Sequence, residues 1–461
     1  MKGVLCRTDK LNKDNIRKGA VLLFLIVVFA VIFFVGGVKT YPDTDSYLKM
    51  SPNREPGYAL LLNGVMALWG ESGFFILGLM QNALAVFAIY LTSAYIGSKY
   101  KERYVLFLVT FCMLLPYVVT PLFASSGIVL SNAMISEGIT LSLYNLYFLF
   151  LLKAIWDVEK KRKNLWISLV LAFVLSLFRG QMLVELIAWV FTAVVVWLKE
   201  KKTRGANGAI LLFVLALLVR IVCVNGCNLL VNGRYAGTTY GSVTILSNVI
   251  YVADKEDGGA IGDETLRRLF YEIYEVAESG HMLYKDAPED FTGEAGFYSD
   301  MHDDIKDFGI YPILQDYVEK EEEITDYMEK AIRVDDLASG MTKELLSECG
   351  GAWFVHYIRN VAVGLIRTVA LVHPLFNIPA FIGYAILIAA GIFLFRKKKD
   401  SKAVGMLLLT ALLTAGNVAA VAITIMCLSR YMIYNMAFVY ISAILLFLEI
   451  VREIWGKGAK R

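Results

Sequence analysis

Two carboxylates, Asp43 and Asp45, stand in the segment Tyr41-Pro-Asp-Thr-Asp-Ser-Tyr47, directly after a long apolar run, and Arg54-Glu-Pro-Gly-Tyr58 follows. A carboxylate at a membrane–water boundary is partly desolvated, which raises its pKa and suits it to take a proton from a substrate hydroxyl. Arginine grips two phosphate oxygens with one planar fork. Three arginines, Arg54, Arg179 and Arg430, fall at the outer ends of apolar runs far apart in the chain. If they converge near Asp43, a base and a phosphate clamp are both present. The same residues also fit a solvated acidic loop with a Pro56-Gly57 turn, and arginines that snorkel to lipid headgroups. Glu185 and Arg220 lie inside apolar runs, where an ionisable side chain is costly unless it faces protein or water. A structural pair between them is the expectation.

Other chemistries find less support. Asp43-x-Asp45 could hold a divalent cation, and His302 precedes Asp303-Asp304, where a solvated acidic surface is preferred to a metal site. The chain has no Gly-rich Lys-Ser/Thr phosphate loop, no His-Glu-x-x-His and no Gly-x-Ser-x-Gly. Its bases are scattered over short loops without a basic stripe, so no nucleic-acid partner is expected.

The elements that must position these residues follow from hydropathy. Of 461 residues, 57% are hydrophobic and 19% charged, against roughly 25% charged in soluble domains. Mean hydropathy is +0.57. A span needs about 20 apolar residues. Ten runs qualify approximately, at 19–38, 73–97, 104–123, 128–152, 165–178, 182–198, 206–229, 375–395, 403–427 and 432–451. The fifth and sixth are short and meet at Phe178-Arg179-Gly180-Gln181, as two helices or one bent hairpin. The fold class is an all-α polytopic membrane protein with about ten transmembrane helices. Residues 58–69 read as a helix lying against the bilayer. With the N-terminus inside, the inner segments hold 27 of the 35 bases that lie outside residues 231–352, including Lys99, Lys101, Lys160 to Lys163, Lys460 and Arg461. That bias puts both termini in the cytoplasm. The first run is expected to remain as a span, since no small-x-small cleavage site follows it.

Three regions result: a membrane part, 1–230, with its first outer loop at 39–72; an outer segment, 231–352; and a second membrane part, 353–461. The outer segment carries 27 Asp and Glu against 10 Lys and Arg, a net of −17 within a chain of net +3. Among six cysteines only Cys349 falls there, so no internal disulfide is expected. Residues 243–252 suggest a buried strand. Leu266, Leu269, Phe270, Ile273 and Ala277 recur at helical spacing after Asp263. A second helix is expected from 313 to 332, and residues 353–371 read as a helix on the outer membrane face.

The acidic motif after the first span, the following Tyr47 and the Arg-x-Pro-Gly-Tyr segment resemble the GT-C glycosyltransferases, in particular bacterial relatives of protein O-mannosyltransferases and aminoarabinose transferases. Their Asp-Ser/Thr-x-x-Tyr pattern matches Asp43 to Tyr47. Their Arg-x-Pro-Gly-Tyr-Pro-Leu pattern matches Arg54 to Leu60, with Ala59 in place of the usual Pro. The resemblance implies a GT-C-like fold in the cell membrane and transfer of a sugar from a polyprenyl-phosphate donor to a glycan, lipid or protein acceptor. It implies Asp43 as the base and Asp45 as its partner or a metal ligand. It also implies substrate contacts from Arg54 and Tyr58, from Glu137 in the Ser136-Glu137 pair, from Arg179, and from Arg430 and Tyr431. Residues 231–352 match no pattern of that family. A polysaccharide repeat-unit polymerase, and a lipid-linked glycan flippase or transporter, stand as alternatives.

Overall fold

The computed structural model describes residues 2–100, 102–123 and 129–458. The expected start of the fourth run at 128, and Lys101, Lys460 and Arg461 of the inner bases, lie outside the described residues. The chain is helical: among the described residues no strand forms, and an isolated bridge joins Lys39 to Ala133.

Among the described residues, eight helical segments are long and apolar enough to cross a membrane: Asp14–Gly36, Pro56–Lys99, Glu137–Trp156, Gly180–Lys199, Thr203–Asn232, Pro374–Lys397, Lys402–Thr424 and Ser429–Trp455. Eight such segments stand against the ten expected. Residues 104–123 and 165–178 do form helices, but the first is described as apolar only over Tyr104–Val119. The second belongs to Lys161–Phe178, which opens on Lys161, Arg162 and Lys163. The Phe178–Gln181 junction separates two helices, with a short 3-10 turn over Gly180–Met182.

The bundle is organised around Glu137–Trp156, whose apolar window is 78% buried. Its Phe148 stacks on Phe438 of the last helix at 3.6 Å, and Tyr144 donates to Asn435 at 2.5 Å. Polar side chains in this core pair with one another because lipid offers no partner. Pro56–Trp69 forms the helix expected after the first loop, burying Tyr58, Leu62 and Val65 and exposing Leu60, Leu68 and Trp69. It turns into Gly73–Lys99 at Gly70, whose φ of 56° is one that glycine adopts without a Cβ clash.

Residues 231–352 are mostly helical, with loops between the helices. The expected strand at 243–252 is instead the helix Gly241–Val252. A short apolar run fits either state by periodicity alone; here Val243, Leu246, Val249 and Ile250 share a buried face. Glu264–Ser279 forms as expected, and Asp263 caps it by accepting from the Thr265 and Leu266 amides at 2.8 and 2.9 Å. The single helix expected at 313–332 is broken. Tyr311–Lys320 ends, and Tyr327–Val369 begins on the Asp326 cap and runs 43 residues through 352–353. The helix expected at 353–371 forms, as the C-terminal part of this continuous helix, and ends at Val369. His302 is fully buried rather than on a solvated surface, with Nε2 3.3 Å from the Thr244 carbonyl oxygen.

Candidate functional site

The site begins with an irregular stretch, Leu130 to Ser136, just before the central helix. Backbone outside regular structure is tolerated at membrane depth where protein satisfies it. Gln81 Nε2 donates to the Ser131 and Ala133 carbonyls, both at 3.1 Å, and Asn82 Nδ2 donates to the Ser131 carbonyl at 3.0 Å. Gly138 permits this approach, since a Cβ there would meet Gln81 Nε2 at 2.7 Å.

The first loop is fastened to the same stretch. Lys39 N donates to the Asn132 carbonyl at 3.0 Å, and Met134 N donates to the Lys39 carbonyl at 2.9 Å. The Thr44 hydroxyl donates to the Met134 carbonyl at 2.9 Å, and Tyr47 Oη to Ser136 Oγ at 3.0 Å. The short helix Pro42–Leu48 is thereby seated beside Glu137 at the start of the central helix.

Asp43, Arg54, Glu137, Arg179, Arg430 and Tyr431 then border one cavity of about 330 Å³. Asp43 Oδ1 accepts from Arg54 Nη2 at 2.6 Å, and its Oδ2 lies 3.6 Å from Arg430 Nη1. Arg54 also donates to Ser46 Oγ at 2.7 Å and lies over the Tyr47 ring. Glu137, 2% exposed, meets Arg179 Nη1 at 2.5 Å and Arg430 Nε at 3.8 Å. Arg179 donates to Gln181 Oε1 at 3.0 Å, and Gln181 is held by Asn417 at 3.0 Å. Both Arg179 and Arg430 lie over the Tyr431 ring. Arg430 Nε is buried with no hydrogen-bond acceptor.

Three guanidiniums, Arg54, Arg179 and Arg430, thus face the carboxylates Asp43 and Glu137, an excess of one positive charge among these five before Glu55 is counted. Glu55 also lines the cavity, and its partner Arg220, behind the lining, brings the cluster to four guanidiniums against three carboxylates, one net positive charge. Burial pushes the Glu55 carboxyl up to about 7, against the opposing pull of Arg220, so below that pH the Arg220 charge is uncompensated too. Such a site attracts an anion with oxygen acceptors.

Several expected residues sit elsewhere. Asp45 is 76% exposed and pairs with Lys49 at 3.3 Å. Asp43 and Asp45 are two positions apart on one helix, so they do not share a face. No group of three or more His, Cys, Asp or Glu among the described residues could hold a metal ion. As placed, the two carboxylates do not converge on one point. Tyr58 is fully buried behind Tyr47, donating to Gln81 Oε1 at 3.3 Å. Asp43 is 29% exposed, and two guanidiniums face it. Arg220 pairs with Glu55 and not with Glu185, which is buried against Tyr147.

Sequence reasoning missed Tyr47, Glu55 and Gln181 as cavity residues. The first two stand inside the quoted motifs, and Gln181 in the quoted junction, so position was their one signal. It also missed the roof, Gly241, Thr244 and Ile245, which comes from residues 231–352. No local pattern marks those three. Comparisons with known protein families, with curated proteins and with solved structures return no match.

Proposed function

We propose that this is a GT-C-type integral-membrane glycosyltransferase, using a polyprenyl-phosphate-linked sugar at the outer face of a cytoplasmic membrane. The observation that carries the reading is the cavity's cluster of four guanidiniums, Arg220 included, against three carboxylates, with Arg430 presenting an unbonded, buried Nε. A glycosyl phosphodiester carries one negative charge, which matches the one positive charge in excess. Its phosphate would draw Arg430, and with it Arg179, off their carboxylates. Asp43 Oδ2 would then be free to take the acceptor hydroxyl proton. The acceptor oxygen bonds to the anomeric carbon, the bond from that carbon to the phosphate oxygen breaks, and the electron pair leaves with polyprenyl phosphate. That product gains a negative charge, and the arginines stabilise it as it develops.

The cavity also borders helix ends rather than helix middles: Glu137 opens its helix, Phe178 and Thr424 close theirs, and Arg430 stands in the first turn of the last. Transporters bind near the bilayer midplane between broken helices, so this location favours the transferase over a flippase. The roof from 241–245 supports a role for the outer segment in covering the site or selecting the acceptor.

The test compares lipid-linked sugars in membranes carrying wild type or Asp43→Asn at equal expression. The expected result is accumulation of one polyprenyl-phosphate sugar in the variant. Identical pools, with the variant complementing a deletion, would remove Asp43 as the base.

A further inference from the structure

At the end of the bundle opposite the cavity, a recess of about 340 Å³ opens between the helices Lys161–Phe178, Leu183–Lys199 and Thr203–Asn232. Its walls are indoles: Trp166, Trp189 and Trp197. Trp189 is fixed by donating to the Leu165 carbonyl at 2.9 Å. Gly205 lets the third helix close on Trp197, since a Cβ there would meet the indole at 2.7 Å. Gly208, also on the lining, faces open space.

The rim of the recess is cationic without compensation. Arg162 and Arg204 are exposed, and among the described residues neither meets a carboxylate. Of the nearby acids, Glu200 is taken by Lys161 and Lys202 and Asp157 by Lys99, and Glu159, in the turn before Arg162, is not within ion-pair distance of it. Arg162 and Arg204 each stand in the first turn of a helix that has no side-chain cap and no acidic residue in that turn. The positive end of the Thr203–Asn232 helix therefore adds to the guanidiniums. An apolar aromatic wall beneath two unpaired arginines complements a molecule with an anionic head and an apolar body, at the depth where tryptophan meets headgroups.

We infer that this recess seats one anionic phospholipid, its phosphate against Arg162, Arg204 and the start of the Thr203–Asn232 helix, and its glycerol and upper acyl chains on the indoles. A soluble phosphate would satisfy the arginines but leave the indole wall unused. The site is independent of the catalytic reading, since it shares no residue with the cavity.

The test is native mass spectrometry of the full chain in detergent with equal phosphatidylglycerol and phosphatidylcholine. Wild type is expected to retain one phosphatidylglycerol in preference. Arg162→Gln with Arg204→Gln should weaken that retention by about thirtyfold, from a loss of roughly one lipid-facing charge interaction per arginine. Gly208→Leu, which keeps both arginines and fills the recess, should release the lipid as well. No preference in wild type would overturn the proposal. So would retention by Gly208→Leu equal to wild type, because the recess would then not be the seat. Displacement of the lipid by inorganic phosphate or glycerol phosphate as readily as by phosphatidylglycerol would make this a soluble-anion site and would overturn it too.

Discussion

Replacing Glu137 by Gln removes one of the two carboxylates that hold three guanidiniums together at the cavity. Glu137 is 2% exposed and its main partner Arg179 is 14% exposed, with 2.5 Å between the nearest atoms. Taking the charge centres at about 4 Å and an effective dielectric constant of about 20, their attraction is about 4 kcal/mol. Removing one member of a buried pair costs about 3–5 kcal/mol, because the survivor stays buried and unpaired. Glu137→Gln and Arg179→Gln should each fall in that range, while Arg430, at 3.8 Å, loses its second partner in the first variant only. The double variant should cost less than the sum, with a coupling of about 2–3 kcal/mol. The assay is reversible unfolding in mixed micelles followed by tryptophan fluorescence, read as a double-mutant cycle. A coupling below about 0.5 kcal/mol would mean that water screens the two charges as it does at a surface, and the enclosed site described above would be refuted.

Three further outcomes follow from the same geometry. Asp45→Asn should change stability by no more than about 0.5 kcal/mol and leave transfer intact, because its pair with Lys49 is exposed; a large loss of activity would return Asp45 to the site. Gly57→Ala should cost about 1–3 kcal/mol and lower transfer more than expression, since its Cβ would meet Phe178 at 2.6 Å and the Leu177 carbonyl at 2.7 Å, beside Arg179; activity equal to wild type would show that the loop and the Phe178 junction move independently. Glu55 has its carboxyl raised from 4.5 to about 7 by burial, against Arg220. It takes up a proton as pH falls through 7, which frees the Arg220 charge, so the KM for an anionic donor should fall between pH 8 and pH 6. Glu55→Gln should flatten that dependence, and a KM that rises over the same interval in wild type would contradict it. The sign for stability is the same: the contribution of a raised carboxyl is complete below pH 4.5 and lost as pH passes about 7.

Much of this molecule was legible because the signals are local. Long apolar runs read directly as helices, since hydrocarbon leaves the backbone no other partner. The Asp263 cap and the spacing of Leu266 to Ala277 placed a helix in the acidic segment. The first-loop motif pointed at Asp43 and Arg54, and the arginines from three distant stretches do meet one cavity.

Other features depend on which helix ends meet, and no local pattern contains that. Gly241–Val252 is a helix because its apolar face packs against the Tyr327–Val369 rod, with Ser242 donating to Asp335 at 3.0 Å. Asp45 and Tyr58 leave the site through helix phase: two residues from Asp43, a side chain faces solvent, and the ring of Tyr58 faces the core. Arg220 chooses Glu55 over Glu185 because the helix Thr203–Asn232 passes the first loop there. Sequence by itself determined the helical class, the acidic insert and the residue types fit for phosphate and proton chemistry, because hydropathy and motif act within one turn or one loop. Tertiary structure alone decided the ion pairs, the compensation of Asp43 and the roof over the cavity, because charges from separate helices acquire partners only when packing brings them together.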